Sequence, residues 1–224
     1  MTAIAVVLTF IVFLTIDYFR SRKRVVQTAQ QQVAEPVTAE PRLPAPVVAG
    51  FELPPQFRYH PGHTWALSES PTMVRVGLDS FAGRLAGKID HIMAPARGQW
   101  LRQGQKLATI FHAGMRAELI SPIEGEVTGV NQAVLDDPQL ALRDPYGEGW
   151  LITVNSPDAK TSFRNLLSGA LARKWMEEAA LRLRMRMPAL AGAVAQDGGM
   201  AVDDLTTELP NENWKDLTAE FFLM

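Results

Sequence analysis

The stretch Ser121–Val154, SPIEGEVTGVNQAVLDDPQLALRDPYGEGWLITV, decides how the rest of this chain is read. Gly125–Val130, GEVTGV, has the length and alternation of a short strand, and turn-forming residues follow it. Asp136, Asp137, Asp144 and Glu148 lie in that turn-rich sequence. Carboxylates there accept from backbone amides, which accounts for them without a paired general acid and base. Upstream the texture is the same. MVRVGL (Met73–Leu78) alternates, and GKIDHI (Gly87–Ile92) is another strand candidate. GKIDHI and GEVTGV share the pattern G-x-[IV]-x-x-[IV], which fits a small barrel built from two similar halves. The chain is therefore expected to hold a mainly β domain over residues 58–157.

Helical patterns follow. Ser156 or Asp158 can cap a helix expected over 158–188, in which Phe163, Leu166, Leu167, Ala170 and Leu171 fall at helical spacing. The spacing continues through Met176, Ala180 and Leu183 until Pro188. The arginines of LRLRMRM read as a solvated face, with docking or membrane-surface contact as the sharper alternative. Residues 189–210 read as a flexible connector and 211–224 as a short amphipathic helix. Trp214, Leu217, Phe221 and Met224 share one face of it; Glu212, Asp216 and Glu220 share another. So short a helix needs a surface to pack on, in its own domain or on a partner.

The first sixteen residues, MTAIAVVLTFIVFLTI, carry no charge, and Arg20, Arg22, Lys23 and Arg24 follow. This pattern predicts a single transmembrane helix over 1–19, anchoring the chain in the inner (cytoplasmic) membrane with its N-terminus outside and the globular part cytoplasmic. Residues 20–57, with Pro36, Pro41, Pro44 and Pro46, read as a basic flank and a proline-rich linker.

Composition narrows the function classes. Among 224 residues there is no cysteine, which excludes disulfides, thiolate metal sites and thiol nucleophiles. A formal net charge of −2 argues against nucleic-acid binding. His60-x-x-His63 has a metal-like spacing, but neither cysteines nor clustered carboxylates accompany it, and no metal is expected. No G-x-S-x-G, P-loop or dinucleotide fingerprint occurs.

DPYGEGWLITV, Asp144–Val154, resembles the signature of the glycine cleavage system H protein family. YHPGHTWA, with Tyr59, His63 and Trp65, is similar to that family's opening strand; VGLDSFAGRLAGKI and SPIEGEVTGVNQAVLDDPQLALRDPYGEGW continue the match. The likeness spans roughly Tyr59 to Leu167, and it explains His63 as a packing residue near Trp65. It implies a lipoyl-domain-like hybrid barrel-sandwich, here with C-terminal helices, in which one hairpin displays a lysine carrying lipoic acid within a motif resembling E-S-V-K-A.

Counting back from SPIEGEV without gaps places that motif's first four residues on Phe111, His112, Ala113 and Gly114. The lysine position is thus Gly114. Arg116 lies close by, but its guanidinium stays protonated and cannot form the lipoyl amide. Residues 109–159 contain no lysine, so a slip of one or two residues changes nothing. Lipoate, other cofactors and a small-molecule substrate are therefore not expected. The expected role is a non-catalytic scaffold or docking subunit in which Phe111, Met115, Arg116, Leu119, Trp214, Leu217 and Phe221 contact an unidentified protein partner. The alternative is an aminomethyl carrier of the glycine cleavage system; no residue constellation supports an enzyme.

Overall fold

The structure, a computed structural model, describes residues 45–186 and 211–223, all within the unit Pro44–Met224. Eleven strands run through the described residues: β1 (Val47–Val48), β2 (Phe51–Glu52), β3 (Arg58–Tyr59), β4 (Thr64–Ser68), β5 (Met73–Leu78), β6 (His91–Met93), β7 (Trp100–Leu101), β8 (Lys106–His112), β9 (Met115–Ile120), β10 (Gly125–Val130) and β11 (Ile152–Asn155). Helices α1 (Ser80–Ala86), α2 (Gln132–Asp136), α3 (Leu140–Arg143), α4 (Ala159–Arg164), α5 (Gly169–Arg186) and α6 (Asn211–Phe221) complete them.

A six-stranded antiparallel sheet has the order β3-β4-β5-β11-β10-β7, and a three-stranded sheet the order β6-β8-β9. Both contribute to one hydrophobic core, Val74, Val76, Ile152 and Val154 from the first, Ile110, Ala117 and Leu119 from the second. The alternation in MVRVGL does what its period requires, burying Val74 and Val76 while Met73 and Arg75 stay at the margin. Gly77 in β5 is demanded by its neighbour. A Cβ there would overlap the Trp65 ring, lying 2.7 Å from Cε2. Trp65 cannot yield easily, because its Nε1–H donates to the Leu78 carbonyl at 2.6 Å and to that of Pro145 at 3.1 Å.

Several expectations are corrected. The single helix expected over 158–188 is two, α4 and α5, because the chain between them turns aside and Leu167 exchanges backbone hydrogen bonds with Tyr59. Leu171, expected on the buried face, is 62% exposed. The proline-rich linker does not reach residue 57. β1 and β2 pair, and Phe51, Leu53 and Phe57 enter the core. Residues 1–44, 187–210 and 224 lie outside the described residues, and the expected anchor and connector lie among them. Among the described residues no helix is long and apolar enough to cross a membrane.

The last helix packs on its own domain. Trp214 is buried and donates from Nε1 to the Ala86 carbonyl at 3.2 Å, and Phe221 meets Phe81 at 5.0 Å between ring centroids. The end of α5 holds α6 from outside. Arg182 lies 5.3 Å over the Phe221 ring, and Arg186 pairs with Glu220 at 2.9 Å. Both arginines are exposed, as expected of a solvated face, and they also contact α6.

Candidate functional site

The feature displayed by this fold is the hairpin formed by β8 and β9. Its register runs His112 with Met115, Phe111 with Arg116, Ile110 with Ala117 and Thr109 with Glu118. Only Ala113 and Gly114 remain for the loop, and both take positive φ, 48° and 78°. Two central residues at positive φ are what a type I′ turn requires, and that turn matches the twist of the flanking strands. Ala113 bears a cost in that region that glycine avoids. Both tip residues are exposed, and a Cβ at Gly114 would meet nothing within 4 Å.

The tip is held from one side by the turn after α1. Ala113 N–H donates to Asp90 Oδ2 at 2.7 Å, and Asp90 N–H donates to the Phe111 carbonyl at 2.8 Å. His112 Nδ1 lies 2.6 Å from the Lys88 carbonyl, which can only accept, so Nδ1 carries the proton. Rings complete the support. His91 stacks on Phe111 at 3.9 Å, and His112 stacks on Trp214 of α6 at 5.3 Å.

Of the expected contact residues, Phe111 and Met115 are half-buried on the hairpin and Arg116 is exposed. Leu119, Trp214, Leu217 and Phe221 are corrected: all four are buried in the domain's own core, leaving them no surface for a partner. Leu119 faces inward because strand alternation puts it on the same side as Ala117.

A second polar centre lies beneath the aromatic layer. His63 and Asp79, both fully buried, meet at 2.8 Å through Nδ1 and Oδ2. Asp79 also caps α1, its Oδ1 accepting from Ala82 N–H at 2.7 Å. The imidazole stacks on Phe81 at 4.1 Å and lies 4.6 Å from Trp175. Beside it, burial and the neighbouring His63 push His60 down to about 4; its Nδ1 accepts from Gly62 N–H at 3.0 Å. Burial pushes the phenols of Tyr59 and Tyr146 up, so both stay protonated and donate, to the carbonyls of Pro54 at 2.8 Å and Glu52 at 2.7 Å. Sequence reading missed the His63–Asp79 pair. The two residues are 16 apart, at a spacing no periodicity links, although an aspartate before an apolar helix start was a legible capping signal.

A mainly β fold with two sheets on one core and a hairpin held out at one end belongs to the lipoyl-domain-like class of modules. The family model for the glycine cleavage H-protein matches residues 57–179, more than half of the chain. The chain belongs to that family. Relatives agree. The glycine cleavage system H protein of Anaeromyxobacter sp. (strain K) is 32% identical over 128 residues, which cover 57% of this chain and 98% of the relative. That of Thermobifida fusca (strain YX) is 38% identical over 105 residues, 46% of this chain and 82% of the relative. The crystal structure of an H protein from Mycobacterium marinum superposes with a TM-score of 0.49 at 29% identity, covering 56% of this chain and 98% of that one. The expected inner-membrane localisation is overturned. The relatives that match along nearly their whole length are glycine cleavage system H proteins.

Proposed function

We propose that this H-protein family member works without a lipoyl arm, as a non-catalytic scaffold or docking module that meets its partner through the end of the β8–β9 hairpin. The observation that carries this reading is Gly114. It occupies the exposed hairpin tip where the family resemblance puts the lipoyl lysine, and it offers no amine. An activated acyl group needs a nucleophilic acceptor, and the Arg116 guanidinium, always protonated, is not one. Support also comes from the tip's surroundings. Phe111 and Met115 are half-buried there, and Met93, two residues along the adjoining strand from His91, is 58% exposed. Such apolar groups suit a protein contact. The buried imidazole–carboxylate pair of His63 and Asp79 is closed to solvent, which favours a structural role over catalysis.

The second reading is a lipoyl-type carrier, favoured by the family membership and by Lys88, an exposed amine in the turn that holds the hairpin. One experiment separates the two: co-express the full chain with a lipoate ligase and lipoic acid and measure the intact mass. The docking reading expects the unmodified mass. A lipoyl increment, mapped to Lys88, Lys106 or any other lysine, would return the protein to the carriers. Gly114→Lys is the positive control. Its side chain has room, and the left-handed backbone there costs it about 1 kcal/mol.

A further inference from the structure

We propose that the cleft between α1, α3 and β2 is a binding site for a small oxyanion-bearing molecule, a carboxylate or a phosphate ester. The cleft has a volume of about 470 Å³ and is lined by Arg84, Lys88, Arg143, Gln139, Ser80 and Glu52 over apolar and glycine surface. That volume falls within the roughly 300–1,000 Å³ typical of small-molecule sites. Arg84, Lys88, Arg143 and Glu52 line the cleft and Asp137 pairs with Arg143, so these five groups keep one net positive charge, whose field a low-dielectric wall focuses.

The three cations reach the cleft from different places. Arg84 stands in the last turn of α1 and donates to the Gly50 carbonyl at 3.0 Å. Arg143 stands in the last turn of α3 and pairs with Asp137 at 2.6 Å. A cation at the end of a helix offsets its carbonyl dipole, so each arginine has a local reason to be there. That local reason does not require the two to share a cavity. It also does not account for Lys88, which follows Gly87 in the turn, is exposed, and pairs with no carboxylate among the described residues. The arginines are oriented by existing partners, and Gln139 is held by donating from Nε2 to the Ile89 carbonyl at 2.8 Å. The site is therefore largely pre-formed, with Lys88 as its exposed charge. Leu142 and Pro145 leave room for a short carbon skeleton behind the anionic group.

This site is independent of whether the hairpin docks a protein. The full chain, labelled with ¹⁵N, is titrated with inorganic phosphate and separately with succinate, ionic strength being held constant with sodium chloride. The amides of Gly83, Gly87 and Lys88 are expected to shift saturably. Lys88→Ala and Arg143→Ala should each weaken the apparent Kd about threefold to fivefold, the range for one exposed charge contact, while Arg116→Ala on the hairpin should leave it unchanged. An unchanged melting temperature in at least one of the two cleft variants assigns its effect to the site. The stronger of the two probes tells phosphate ester from carboxylate. Shifts that rise without saturation, or an affinity that survives both cleft variants, would overturn the proposal.

Discussion

Trp214→Ala tests whether the C-terminal helix is part of the domain. The ring is 1% exposed, stacks on His112, and donates its N–H to the Ala86 carbonyl. Truncating a buried aromatic to alanine costs about 3–5 kcal/mol. Within that sum, the carbonyl left without its donor accounts for about 1–3 kcal/mol wherever water cannot replace it. Trp214→Phe, which keeps most of the ring volume and loses the N–H, should recover more than half of the loss. In a domain of this size each kcal/mol moves the melting temperature by about 2–4 °C, so Trp214→Ala should melt roughly 6–20 °C lower. Urea unfolding followed by circular dichroism gives the free energy directly. Hydrogen exchange adds a local readout, since the Phe222 amide, bonded to the Thr218 carbonyl at 2.9 Å, should lose protection first. A loss under about 1 kcal/mol with protection at Phe222 intact would refute the packing of α6 and restore Trp214 to the surface.

Further outcomes are expected elsewhere. Gly77→Ala should destabilise by about 1–3 kcal/mol, because the new methyl collides with a Trp65 ring that two carbonyls hold in place; a neutral urea midpoint would show that ring to be loose. His60 gives a pH dependence. Its folded value of about 4 lies below the ordinary 6.5, so its contribution is complete above pH 6.5 and is lost as the pH falls towards 4. Discounted for the partly exposed ring, the loss is about 2 kcal/mol, and it should vanish in His60→Asn, whose side-chain oxygen can still accept from Gly62; an unchanged pH profile in that variant would refute the assignment. A truncation to residues 56–188 should lose cooperative melting, since it discards the core side chains Phe51, Leu53, Trp214, Phe221 and Phe222; a sharp transition near that of the full chain would show these to be dispensable.

The strands could be read from the chain because their signal is local. In MVRVGL and GEVTGV the alternation itself dictates which residues go inward. The elements misread were those decided at a distance. An amphipathic helix states that it needs a surface, and nothing in NENWKDLTAEFF says that the surface is α1 and β9. Proline-rich composition hid Phe51 and Leu53, since an extended segment and a two-residue strand look alike until a partner strand is present. The break before α5 was concealed by apolar spacing that continued across it, although Ser168-Gly169 was a stop and start signal, with Gly169 at a φ of 55°. The cleft of Arg84, Lys88 and Arg143 left no trace in the sequence, because its cations come from two helices and a turn.

The bond between Trp214 and Ala86 joins residues 128 positions apart. During synthesis at about 5–20 residues per second, Ala86 emerges roughly 6–25 s before its partner exists. Throughout that interval the surface of α1 around Phe81 and Ala86 has no lid, and the apolar patch is open to other nascent chains or to a chaperone. Emergence of α6 is thus the step that covers this surface, and the domain's yield in a cell should depend on what shields the patch until then.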